Sequence, residues 1–167
     1  MKRLDEKNII TKLLKFEEGY SETAYKDTLG FPTIGIGKKI GPKNADLKQY
    51  IFTVPLNVAY EWLKQDLKKI KAEIMSNQNT AKAFAMANQP RKDIFIMMAY
   101  QMGVEGLSEF DKTLRYAAAG EFVKASFEML DSLWAKETKS RAKRESEVMK
   151  LGSYTPYKAH IAALSTY

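Results

Sequence analysis

The chain has 167 residues, 45% apolar and 28% charged, with 27 basic against 20 acidic side chains for a net charge of +7. That length can bury a core as one domain or as two lobes, and the composition excludes a chain disordered in bulk. The absence of cysteine excludes disulfide scaffolds, thiolate metal sites and cysteine nucleophiles, while the cationic surplus favours a polyanionic partner: nucleic acid, an anionic membrane or an acidic wall polymer.

The first residues, Met1-Lys2-Arg3-Leu4-Asp5-Glu6-Lys7, are charged and lead into few apolar positions. No stretch has the length of a signal-peptide core or a membrane span. Synthesis in a cytoplasm is expected, so action on a wall requires another route outward. From about Asp5 to Glu18 the spacing of Ile9, Ile10, Leu13 and Leu14 predicts a helix. Gly19 is placed to end it. Strand-like runs follow at Ala24–Lys26 and Phe31–Ile36, joined by the turn-forming Asp27-Thr28-Leu29-Gly30. Gly35 and Gly37, alternating with Ile34 and Ile36, mark a strand that another backbone or a ligand approaches closely.

Residues 38–54 read as irregular, with Gly41-Pro42 as a breaker. Leu56, Ala59, Tyr60, Leu63, Leu67, Ile70 and Ile74 then form one long helical stripe, with Pro55 suited to a first turn. Ile94 to Met102 is apolar nearly all round and predicts a buried central helix ended by Gly103. Shorter helices are predicted at Asp111–Ala119, Glu121–Leu130 and Lys139–Met149, and Gly152 opens an irregular tail whose end, Ala159–Tyr167, is loose by default. The methionines of the central helix read as core filler. Lys64, Lys68, Lys69 and Lys71 read as a solvated face, Trp62 and Trp134 as packing residues, and His160, the single histidine, as a surface residue unable to build a metal site.

Two carboxylates in unlike settings are what glycosidic cleavage needs: one acid to protonate the leaving oxygen, one ionised group to activate water or attack carbon. Glu18 ends a helix beside Leu14 and Phe16, apolar neighbours that favour its protonated form. Asp27 starts a polar turn, which favours its ionised form. Each position also has a plain reading, a surface helix residue and a turn residue, and spacing alone leaves both open.

The sequence Glu18-Gly19, then Tyr25-Lys26-Asp27-Thr28-Leu29-Gly30, then Thr33-Ile34-Gly35-Ile36-Gly37 resembles the catalytic hairpin of the phage-type lysozymes, the T-even phage lysozyme and endolysin family. The likeness continues through Gln65-Asp66, Tyr100-Gln101-Met102-Gly103, Ser132-Leu133-Trp134, Arg141-Ala142-Lys143-Arg144 and Tyr157-Lys158, covering roughly residues 9–158. The resemblance implies an α+β, mostly α, lysozyme-like fold of two lobes. Its small β-containing lobe would span 20–54, its connecting helix 55–77, and its helical lobe 1–19 plus 78–167. It implies an inverting muramidase that hydrolyses the β-1,4 bond between N-acetylmuramic acid and N-acetylglucosamine in bacterial peptidoglycan. Glu18 would be the general acid, Asp27 the group that deprotonates the attacking water, and Thr33 the hydroxyl that holds it. Arg141 would pair with Glu18, while Gln101 and Phe31 would bind or orient substrate. No cofactor, metal, nucleic acid or membrane span is implied, and the protein would act as a monomer on the periplasmic wall.

The chain departs from the family in places. Lys38 stands where the family commonly has a histidine that pairs with the aspartate matching Asp66, so a Lys38–Asp66 ion pair is expected. The segment before the long helix is shorter than in the T-even enzymes, and both termini are longer. Rival readings are a lytic transglycosylase, which needs one glutamate and not Asp27 or Thr33, and a lysozyme fold kept as a wall-binding or phage-tail module. A nucleic-acid binder is suggested by charge alone.

Overall fold

The computed structural model describes residues 6–164, the side chains of residues 6–8 and 163 excepted. The charged start of the chain before Glu6 and the last three residues of the tail lie outside the described residues. Two compact units, Met1–Asp66 and Leu67–Tyr167, divide the chain. The described residues are mostly helical with one small three-stranded antiparallel sheet, an α+β lysozyme-like architecture.

The first unit begins with α1 (Glu6–Glu18), whose predicted stripe is buried throughout: Ile9, Ile10, Leu13 and Leu14 are each at most 8% exposed. Gly19 ends the helix at φ 72°, its N–H donating to the Lys15 carbonyl at 2.9 Å. A left-handed residue there costs glycine nothing, and it leaves Glu18 as the last residue of the helix. The chain then runs through β1 (Ser21–Lys26) and β2 (Pro32–Gly35). These pair in register Tyr25 with Thr33 and Lys26 with Pro32, with a bulge between Ser21 and Tyr25.

The stretch expected to be irregular carries more order than its composition suggests. Lys38–Lys39 forms β3, pairing Thr33 with Lys39 and Ile34 with Lys38. A 3-10 turn at Leu47–Gln49 is capped by the Asp46 side chain. The return to the long helix is strapped to β1 by the Val54 N–H on the Glu22 carbonyl, the Tyr20 hydroxyl on the Val54 carbonyl, and a bridge between Thr23 and Thr53. Ladder pairing rather than local propensity creates β3, since each of its bonds depends on a partner elsewhere in the chain.

Helix α2 (Leu56–Ser76) has the predicted position and 21-residue length. It passes close behind β2: a Cβ added at Gly35 would lie 3.3 Å from that of Ala59. The glycine thus admits a strand-to-helix approach that a larger residue would hold apart. The predicted Lys38–Asp66 pair is present, with Nζ 2.8 Å from Oδ1 and 2.6 Å from Oδ2. Because Asp66 is only 20% exposed, Lys38→Ala is expected to lower stability by about 1 kcal/mol, near the top of the range for surface pairs. Urea denaturation at low and high salt checks this, the loss shrinking as salt screens the pair.

The second unit is built from α3 (Ala81–Met86), α4 (Gln89–Ser108), α5 (Asp111–Ala118), α6 (Phe122–Leu130), α7 (Leu133–Glu137) and α8 (Lys139–Leu151). Ile94 through Ala99 of α4 are all buried, as a central helix requires. Gly103 interrupts α4 at φ 79° as expected, but the helix resumes beyond it to Ser108. The α3 and α7 segments, five or six residues each, fall below the length at which a periodic pattern can be read. Helix α8 packs on α4, α6 and α7, and its end is tied to the start of α4. Arg91 donates to the Met149 and Lys150 carbonyls at 2.7 and 3.1 Å and lies over the Phe122 ring. As far as Leu164 the tail is ordered where looseness was the default. It forms 3-10 turns at Thr155–Tyr157 and Ala162–Leu164, with Tyr157 and Leu164 at most 1% exposed. His160 is exposed, as predicted.

Candidate active site

Glu18, Asp27, Phe31 and Thr33 all belong to the first unit, on α1, the hairpin turn and β2. The turn is closed by the Asp27 N–H on the Phe31 carbonyl at 2.9 Å and by the Gly30 N–H on the Asp27 carbonyl at 3.0 Å. Asp27 Oδ1 accepts from the Leu29 and Phe31 N–H groups, both at 2.9 Å. One carboxylate oxygen therefore builds the turn. The other, Oδ2, is not buried and receives no hydrogen bond from a described residue, so it faces solvent as an acceptor.

Thr33 lies on the strand that leaves this turn and is 2% exposed. Its hydroxyl donates to the Phe31 carbonyl at 3.0 Å. That bond fixes the hydroxyl's direction and leaves its oxygen lone pairs free to accept. The backbone of Phe31 thus joins Asp27 to Thr33, and the Lys39 ammonium sits 4.4 Å from the centre of the Phe31 ring.

Cross-strand register aligns Tyr25, Thr33 and Lys39 in one row across the sheet, and residues so aligned share a face. Tyr25 was not singled out from sequence. Burial, then the charges of Glu18 and of Asp27, hold its phenol above the ordinary tyrosine range. The phenol therefore stays protonated near neutrality, and one side chain senses both carboxylates. The signal was present in its place in the sequence, two residues before Asp27 at the end of β1.

Gly37 supplies the other constraint on Glu18. A Cβ built there would fall 2.8 Å from Glu18 Oε2 and 3.1 Å from its Cδ, and the residue has φ 64°. The carboxyl of Glu18 therefore packs on bare backbone. Gly37→Ala is expected to destabilise the protein by about 1–3 kcal/mol through the strained φ. It should also cut activity on the order of 10²-fold by pushing the carboxyl aside. Thermal unfolding beside a turnover assay on isolated walls separates the two effects.

Gln101 and Arg141 belong to the second unit. The Gln101 side-chain oxygen accepts from the Trp134 indole at 2.9 Å, and Trp134 meets Phe110 edge to face. Trp134 is thus a packed residue, as the sequence reading has it. Arg141 is 7% exposed. It donates through Nε to Glu145 Oε1 at 2.7 Å and through Nη2 to the Met97 carbonyl at 3.2 Å. Glu145, fully buried, escaped the sequence reading although its four-residue spacing from Arg141 was the signal. Among the described residues no cluster of histidine, aspartate and glutamate could hold a metal, and no helix is long and apolar enough to cross a membrane.

A turn aspartate and a strand threonine are thus tied through the backbone of Phe31, and Glu18 closes the helix that precedes their hairpin. The profile of the phage lysozyme family matches residues 15–147. The chain belongs to that family. It is similar to the pre-baseplate central spike protein Gp5 of Enterobacteria phage T4, 29% identical over 164 residues, which cover 89% of this chain and 28% of Gp5. It is also similar to the probable T4-type lysozymes 1 and 2 of Dictyostelium discoideum. The first is 29% identical over 166 residues, covering 89% of this chain and 98% of the relative. The second is 30% identical over 164 residues, covering 87% and 96%. The chain thus spans under a third of Gp5 and nearly the whole of the other two.

Proposed function

We propose that this protein is a muramidase that hydrolyses the β-1,4 bond between N-acetylmuramic acid and N-acetylglucosamine in bacterial peptidoglycan, with inversion. The observation that carries the reading is the division of Asp27: Oδ1 is committed to the turn and Oδ2 is open to solvent, while Phe31, whose N–H donates to Oδ1, accepts the Thr33 hydroxyl at its carbonyl. A water donating one hydrogen to Asp27 Oδ2 and the other to Thr33 Oγ1 keeps a lone pair for the anomeric carbon. Asp27 takes the proton as the oxygen attacks, and Glu18 protonates the departing glycosidic oxygen. An inverting arrangement leaves room for that water, with carboxyls about 6.5–9.5 Å apart. Arg141 is proposed to pair with Glu18, and Gln101 and Phe31 to orient the glycan. The protein works without metal or cofactor, as a monomer, made in the cytoplasm and acting on the wall.

The likeness to Gp5, named as a pre-baseplate central spike protein, favours one second reading: a catalytically weak lysozyme-fold module that binds the wall or serves in a phage tail. Release of reducing ends from purified Gram-negative peptidoglycan decides between them. Hydrolysis by the folded protein supports the muramidase, whereas sedimentation with walls without reducing-end release supports a binding module.

A further inference from the structure

The first unit holds a concavity whose lining includes Lys39, the residue over the Phe31 ring. It has a volume of about 450 Å³ and is lined by Lys38, Lys39, Tyr50, Phe52, Trp62 and Asp66. That volume lies in the range of small-molecule sites. Its composition is unlike a packing defect: three aromatic rings, an ion pair and the Gln65 amide. Phe52 is 45% exposed and Trp62 half-buried, so these rings present faces rather than filling a core. Gly41 leaves the space that the Tyr50 hydroxyl occupies, since a Cβ there would lie 1.9 Å from the hydroxyl oxygen.

The charge of the lining is uneven. Lys38 and Asp66 neutralise one another at 2.6 Å, which leaves Lys39 as the surplus cation. Lys39 is exposed, has no ion-pair partner among the described residues, and rests over the ring of Phe31. An aromatic floor with one surplus cation suits a ring with apolar faces that carries a carboxylate.

We propose that this pocket binds a carboxylate-bearing N-acetylhexosamine unit, its ring on Trp62 and its carboxylate toward Lys39. The inference rests on the muramidase reading, since it makes the pocket a second hold on the polymer cut at Asp27. Because Lys39 also lies over Phe31, a sugar seated here would lie next to the catalytic turn.

The test is NMR of the two tryptophan indole N–H groups of the whole chain, assigned with Trp62→Phe, during titration with N-acetylmuramic acid and with N-acetylglucosamine. These sugars share the ring and differ in the lactyl carboxylate. The expected result is a saturable shift of the Trp62 signal that is several-fold stronger for the acid, with the preference lost in Lys39→Gln. Equal response to both sugars, no response at Trp62, or a preference that survives Lys39→Gln would overturn the proposal. Reducing-end release measured on the same samples keeps the two readings apart. Hydrolysis without the Trp62 response removes only the pocket assignment, and the response without hydrolysis keeps the pocket and removes the muramidase.

Discussion

Glu18→Gln is expected to lower glycan hydrolysis by about 10²–10⁴-fold, the size of a positioned general acid, while leaving stability within about 0.5 kcal/mol of wild type. The amide keeps the shape that packs on Gly37 but has no proton to give at a useful pKa. Asp27→Asn should fail to a similar degree for a different reason. Its side-chain oxygen can still accept from Leu29 and Phe31 and hold the turn, yet the other position becomes a donor and cannot take a proton from water. Initial rates on purified walls, with circular dichroism to confirm folding, check both. Wild-type rates in either variant would remove that residue from the mechanism.

The largest stability effect is expected at Glu145, which is fully buried and bonded to Arg141 at 2.7 Å. Burying the two charges costs desolvation that their mutual attraction offsets, so removing one partner leaves the other charged in a dry site. Glu145→Gln should lower stability by about 3–5 kcal/mol, a fall in Tm on the order of 10 °C for a chain this size. A double variant, Arg141→Met with Glu145→Gln, should recover much of that loss, because the guanidinium is no longer buried without the Glu145 carboxylate. Calorimetry of the single and double variants decides. A single variant within about 2 °C of wild type would mean that the guanidinium is held by its other contacts, such as the Met97 carbonyl, rather than by Glu145.

The elements legible in the sequence were those that local chemistry fixes. Gly19 ends α1, Asp27 and Gly30 make the turn, and the stripe from Leu56 to Ile74 gives α2. The ion pair of Lys38 with Asp66 was legible because the resemblance paired those positions. The elements that escaped depend on partners distant in the chain. β3 exists through its ladder to β2, and Leu164 in the tail is buried although its neighbours are irregular.

For the candidate site, Glu18, Asp27 and Thr33 could be picked out because a short motif holds them. What the motif does not reveal is how they are fixed. The seat of the Glu18 carboxyl on Gly37 and the split duty of Asp27's oxygens are matters of geometry. Glu145 was missed for a related reason: an i,i+4 Arg–Glu pair usually marks a solvated face, and only packing shows it to be buried.

The most direct test of the central claim is NMR of the first products released from a soluble glycan strand by the wild-type protein. Water activated by Asp27 and Thr33 predicts reducing N-acetylmuramic ends that appear first as the α-anomer and then mutarotate. Anhydro-muramic ends, or a β-anomer appearing first, would contradict it.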